Sequence, residues 1–262
     1  MLNKLIKRRS FTQAGLFTFL LQPVITYHSF AAQGANNKVS GCCLMSGGDK
    51  YISRSRLGPS SQITNPKSNQ AIENSGDPHF DESLGIVLAD ISRLFEVRPG
   101  FAYFDDTGSP NALALPDSHL ANSHGTVLFG KQMLAMNKQH PYGDMFIMGI
   151  CAHEFAHIVQ FFSGYHDRLS NNQSTKKFVE LHADFLSGYY IGKRNISYSN
   201  AELYSLGESW ESIGDSSYTD PDHHGTAEER LEAIEQGYRL AKKQPSLNIK
   251  VACENGMKYL KI

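Results

Sequence analysis

Cysteine is scarce in this chain: four residues in 262 (Cys42, Cys43, Cys151, Cys253), too few for a fold built from disulfides. An excess of charge is missing too. Twenty-five Lys and Arg stand against 26 Asp and Glu, a formal net of -1, so nothing in the balance calls for a nucleic-acid partner. There is one Trp and no internal repeat. No Gly-x-Ser-x-Gly elbow and no phosphate-binding glycine loop occurs, which takes away the support for serine-hydrolase and P-loop chemistry. What is present is an ordinary globular composition, 40% hydrophobic and 19% charged, long enough to bury one sizeable core or two small ones.

The first 31 residues read as an export signal. Lys4, Lys7, Arg8 and Arg9 precede an apolar run from Ala14 to Tyr27 that is short for a membrane span, and the small-x-small site Ser29-Phe30-Ala31 follows. Arg8-Arg9-Ser10-Phe11 also has the form of a twin-arginine signal, so both export routes stay open. Removing the leader moves the net charge from -1 to -5, because it carries four cations and no anions. The expected location is periplasmic or extracellular, with envelope association a lesser alternative. Val39-Ser40-Gly41-Cys42 resembles a lipoprotein cleavage box but stands too far beyond the apolar run to be the first reading. Residues 32–76, crowded with Ser, Asn, Gly and Gln, read as a linker or a loose arm.

The main domain is expected over 77–245. Asp81 or Ser83 can cap a helix carrying Leu84, Val87, Leu88, Ile91, Leu94 and Phe95, ended by Pro99-Gly100. Phe101–Phe104, Asn111–Leu115 and Thr126–Phe129 read as short strands. Residues 130–137 form a helical connector, and His119 and His124 fall in the loop between the second and third strands. A helix from Asn200 through Ile213 and a last helix opened by the capping box Thr226…Glu229 follow. Residues 246–262 form a tail in which an edge strand held by Cys253 is expected, with a bridge from Cys42 or Cys43 to Cys253 as an open option.

The chemistry is concentrated in His153-Glu154-Phe155-Ala156-His157. The bare H-E-x-x-H pattern can arise by chance in a chain with 11 His, and two core histidines beside a solvated Glu would then be all it means. Its setting argues otherwise, because Met145, Phe146, Ile150, Phe155, Ile158, Val159, Phe161 and Phe162 make the surrounding helix apolar nearly all round. Four residues span just over one turn, so both imidazoles leave one face and can bind one zinc ion. Glu154 then lies where it can take the proton of a water activated by the metal. Zinc held by two His needs a third protein ligand. Glu180 is 23 residues beyond His157, enough to turn and come back antiparallel; His182 is the alternative but leaves from another face. Asp184, one turn after Glu180, can fix the ring nitrogen of a ligand His that faces away from the metal. His224, beside the start of the last helix, is a candidate donor to a developing oxyanion.

In order along the chain, His153-Glu154-x-x-His157 with Gln160, Glu180-Leu181-His182-Ala183-Asp184-x-x-x-Gly188, Ile213-Gly214-Asp215, His224-Gly225-Thr226-x-x-x-Arg230 and Gly237-Tyr238 resemble the bacterial neutral zinc metallopeptidases. More distantly, Asn111-Ala112-x-Ala114 and Glu180-x-x-Ala183-Asp184 are similar to the membrane-associated prenyl-protein zinc endopeptidases. The resemblance covers roughly residues 100–240. It implies an α+β fold with a gluzincin-like core, Zn2+ on His153, His157 and Glu180, and Glu154 as general base. It also implies that Asn111 and Ala112 begin an edge strand along which a substrate backbone lies. Apart from the resemblance, which assigns no role to Asp215, His224 or Arg230, the candidates for places behind the ligands are Asp184, Arg230 and Asp215, with Arg230 pairing to Asp184 or Glu180. The chain departs from the family at His182 and Glu229, where Gln is usual; family members also tend to carry a transmembrane tether, where a cleaved leader is expected here and a retained anchor is the alternative. The expected function is an exported zinc peptidase acting on peptide or protein substrates. A non-catalytic binding or chaperone-like module of the cell envelope is the alternative, and a hydrolase of another amide is a third class.

Overall fold

The computed structural model of the chain describes residues 71–118, 122–171, 173–194 and 224–262. The expected leader, nearly all of the arm, His119, the helix expected from Asn200 to Ile213, Asp215, Cys42 and Cys43 lie outside them. Within the described residues the architecture is α+β, with seven helices and a three-stranded sheet.

Helix α1 spans Pro78–Phe95 and buries Leu84, Leu88, Ile91 and Phe95 along one stripe. Its cap is Asp77, which accepts from the Phe80 N–H at 3.2 Å, rather than the expected Asp81 or Ser83. Pro78 decides this, because its φ is already helical and its missing N–H is one the first turn leaves unpaired anyway. Asp81 instead accepts from the Ser75 N–H at 3.0 Å and the Tyr103 hydroxyl at 2.8 Å. The helix stops before Pro99-Gly100, at Glu96, whose φ of 58° is left-handed and lets the next N–H reach back to Ser92.

Strands β1 (Gly100–Phe104), β2 (Ala112–Leu115) and β3 (Thr126–Gly130) lie in the order β1-β3-β2. β1 is parallel to β3 and β2 antiparallel to it. β1 and β3 are buried throughout, whereas β2 is an edge strand with half-exposed middle residues. On the far side, Ile72 bridges Tyr103 through two backbone bonds of 2.7 and 2.8 Å, so the packed chain reaches back to the end of the arm. Asp106 ties the start of β2 to helix α2 (Lys131–Lys138). Its buried carboxylate accepts from the N–H groups of Asn111, Gln132 and Met133 at 3.0, 2.6 and 3.0 Å.

Helix α3, Gly143–Phe162, carries the H-E-x-x-H pattern and is buried from Gly143 to Gln160 except Asp144. It touches α1, α2, β2 and β3 as well as the two helices that follow it, which is why its sequence has no polar stripe. After the short α4 (Tyr165–Ser170), helix α5 runs Lys177–Lys193. Its N-cap is Lys176, whose side chain makes no capping bond; the Thr175 hydroxyl just ahead accepts from the Lys177 N–H at 3.4 Å. Helix α6, Ala227–Lys243, opens on the expected reciprocal capping box, Thr226 with Glu229, at 3.1 and 3.2 Å.

α5 and α6 cross with backbones nearly touching. A Cβ on Gly188 would stand 1.9 Å from the Ile234 carbonyl oxygen, and one on Gly237 would stand 1.8 Å from that of Phe185. These two glycines allow Arg230 on α6 to reach Asp184 on α5. The expected edge strand of the tail is corrected: residues Ile249–Tyr259 form helix α7, capped by Asn248, with Ile249, Ala252, Cys253, Gly256 and Met257 facing the core. Those positions recur at helical spacing and cannot share one face of a strand. Cys151 and Cys253 are free, buried thiols whose ionisation is pushed up chiefly by burial, so both are packing residues.

Candidate metal centre

His153 and His157 leave the same face of α3 one turn apart, their ring planes nearly perpendicular at 88°. Their Nε2 atoms are 3.0 Å apart. Glu180, in the first turn of α5, brings Oε2 to 3.2 Å from Nε2 of His153 and Oε1 to 3.5 Å from Nε2 of His157. Ligand atoms at the corners of a tetrahedron around an ion bound at 2.0–2.1 Å stand about 3.3 Å apart. The three observed separations bracket that length, so the residues fit a metal ion without rearrangement; among the described residues this is the group that meets such a test.

The ring nitrogens that face away from this point are also engaged. Nδ1 of His153 is 2.8 Å from Oδ1 of Asp184, and the Arg230 guanidinium donates to both oxygens of Asp184 at 2.8 and 2.9 Å. Its second nitrogen also lies 4.0 Å from Glu180. Of the two expected partners of Arg230, Asp184 therefore takes the bidentate bond and Glu180 the weaker charge contact. Nδ1 of His157 is 2.9 Å from Oε1 of Gln160, whose Nε2 donates to the Val179 carbonyl at 2.9 Å. A carbonyl can only accept, so the amide is oriented, His157 donates from Nδ1, and its Nε2 lone pair points at the centre.

The electrostatics follow from burial. Glu154, Asp184 and Arg230, all buried, and the slightly exposed Glu180 put three carboxylates and one guanidinium into one cluster, a formal charge of minus two. A divalent cation balances it. Without one, His153 does part of that work: burial disfavours its charge, but Asp184 and Glu180 outweigh burial and hold its pKa up at about 10. Burial pushes the Glu154 carboxyl up, against the pull of His153 and His157. For Glu180, burial is outweighed by the two imidazoles, which hold it well below the usual carboxylate range. Asp184 is held low in the same way, with Arg230 as its first partner against burial.

His182 does not join the ligands. It is fully buried on another face of α5, with Nδ1 3.1 Å from Gln160 and Nε2 3.1 Å from the Cys253 carbonyl. His124 is a loop brace, accepting from the Arg98 N–H at 3.2 Å and stacking on Phe162 at 4.0 Å. His224 is half-buried two residues ahead of the α6 cap.

Ala112 opens β2 at the sheet edge, with Asn111, the expected first residue of the strand, just ahead of it. The Asn111 carbonyl accepts from the Gly130 N–H at 2.9 Å, so odd-numbered residues of β2 bond inward to β3 and the backbone groups of Ala112 and Ala114 face outward. The Ala112 N–H is taken by the Asn111 side chain at 2.9 Å. The outward groups of Ala114, the last residue of the Asn111-Ala112-x-Ala114 pattern, are therefore the better placed for an added strand. Gln160 was legible in principle, three residues after His157 and on its face; its orientation was not, because Val179 lies on another helix.

No family model, curated protein or solved structure matches this chain.

Proposed function

We propose that this chain is an exported zinc-dependent peptidase with a gluzincin-like core, His153, His157 and Glu180 being the metal ligands. The observation that carries the reading is the convergence of three lone-pair donors, 3.0–3.5 Å apart, inside a cluster whose formal charge suits a dication. Two imidazoles and a carboxylate suit zinc and leave a coordination place open. Bound there, zinc would supply Lewis acidity, lowering the pKa of water to about 7 and polarising a carbonyl.

The chain's own residues do the rest. Glu154, beside the ligands on α3 and raised above an ordinary carboxyl by burial, takes the proton of the attacking water and passes it to the leaving amine nitrogen. Asp184 and Arg230 hold His153, and Gln160 holds His157. β2 offers the outward N–H and carbonyl of Ala114 to an extended peptide, which would add as a strand beside it. His224 is assigned the role of oxyanion donor. The leader read from the sequence places the work outside the cytoplasm.

The test is zinc content together with Glu154→Gln. The variant is expected to keep its zinc and lose about 10²–10⁴-fold in peptide cleavage. Cleavage unchanged by the substitution sinks the mechanism. Zinc bound with no peptide cleaved by the wild type points to a non-catalytic binding module instead.

A further inference from the structure

His182 was set aside as a ligand, yet its surroundings are as specific as those of the residues that converge on the metal position. Starting at the centre, His157 donates from Nδ1 to Oε1 of Gln160 at 2.9 Å. The two protons on Gln160 Nε2 go to the Val179 carbonyl at 2.9 Å and to His182 Nδ1 at 3.1 Å. His182 Nδ1 therefore accepts, its proton sits on Nε2, and that proton goes to the Cys253 carbonyl of α7 at 3.1 Å. Backbone carbonyls close this run at Val179 and at Cys253, so one assignment of protons satisfies every bond. Gln160 and His182 are fully buried, which makes any misassigned member an unsatisfied polar group costing about 1–3 kcal/mol. α7 comes this close because of Gly256, where a Cβ would stand 2.8 Å from Cδ2 and 3.0 Å from Nε2 of His182.

We propose that His182 is a positioning residue for the metal ligand His157, and that the C-terminal helix α7 anchors it: through Gln160, the Cys253 carbonyl acts together with that of Val179 to fix which nitrogen of His157 faces the metal. The inference rests on the zinc reading above. It turns residues 246–262 from a tail into part of the metal site's support, and it gives His182 a role at the position where the resembling family usually has Gln.

The experiment is zinc affinity by chelator competition on the full chain for wild type, His182→Asn and His182→Leu, with ring-proton NMR on the wild type. Removing a group of this kind behind a ligand costs about 10–100-fold in metal affinity, and that loss is expected for His182→Leu. His182→Asn, which can still accept from Gln160 but stops short of α7, is expected to fall between the two. In zinc-loaded wild type, His182 should carry its proton on Nε2 and His157 on Nδ1. Equal affinity of wild type and His182→Leu overturns the proposal, and so does a proton on Nδ1 of His182, a result that stands even if the Leu variant does not fold. Wild-type protein that takes up no zinc overturns the metal reading itself.

Discussion

Behind His153 stands a buried ion pair, Asp184 with Arg230; behind His157 stands an uncharged amide, Gln160, tied to the Val179 carbonyl. Both arrangements turn a ring so that Nε2 faces the metal position, but they do so at different electrostatic cost. The ionic arm places full charges in the core and raises the basicity of its ligand. It holds only while both charges remain, because an uncompensated buried ion is far more costly than an unmade neutral bond. The neutral arm adds no charge, and its accuracy comes from the backbone carbonyls at its ends. One imidazole is held by energy that depends on protonation, the other by geometry.

The comparison is most exposed to a single cut through the ionic arm. Arg230→Met is expected to destabilise the metal-free chain by about 3–5 kcal/mol in urea unfolding, since Asp184 is left charged and buried. Adding Asp184→Asn should restore part of that loss. Gln160→Leu, the matching cut through the neutral arm, should cost less, about 1–3 kcal/mol. If the two losses come out in the reverse order, the contrast between the arms is wrong.

The arms should also respond to pH with opposite sign. His153 has its folded pKa raised to about 10, so the stability it contributes is complete below its unfolded value near 6.5 and is lost as pH rises toward 10. Zinc, by displacing that proton, should remove this alkaline loss. His182 is kept neutral by burial, with a folded pKa lowered to about 4. Its effect is absent above 6.5 and costs on the order of 3 kcal/mol as pH falls from there to about 4, because the unfolded chain takes up the proton first. In His182→Asn that share of the acid loss should vanish. Unfolding midpoints against pH, with and without zinc, check both signs.

Substrate engagement gives a smaller effect that spares both arms. Ala114→Pro removes one outward N–H on an edge strand, where proline is tolerated, and should raise KM about tenfold with zinc affinity unchanged, as for one hydrogen bond of about 1.4 kcal/mol. The smallest change is a control. Glu96→Gly relieves a left-handed residue at the end of α1 and should stabilise the fold by about 1 kcal/mol, equally with and without zinc.

Local pattern carried the sequence reading wherever the physics is local. His153 and His157 share a face because four residues make about a turn, and the same spacing aligned Glu180 with Asp184. The Thr226 capping box and the strand edges follow from neighbouring residues in the same way. The end of the chain was misread as a strand although Asn248, Ile249, Ala252, Cys253 and Gly256 follow a helical cap and period. Gly256, a poor helix former, masks that signal, and its reason for being there is His182, far away in sequence. The cap of α1 is Asp77 and neither Asp81 nor Ser83, because Asp81 has the right chemistry but is claimed by Tyr103 and Ser75, while the Ser83 hydroxyl donates to the His79 carbonyl inside the helix.

By itself, then, the amino-acid order determined which side chains could hold a metal and on which helical faces they lie, since those depend on bonds and turns within a few residues. Tertiary structure alone decided the partner of each ring nitrogen, the bidentate grip of Arg230 on Asp184, the outward face of Ala114 and the anchoring of His182 to α7. These rest on contacts between segments tens of residues apart, and the close approach of α5 to α6 and of α7 to His182 is set by whole-helix packing that no local spacing records.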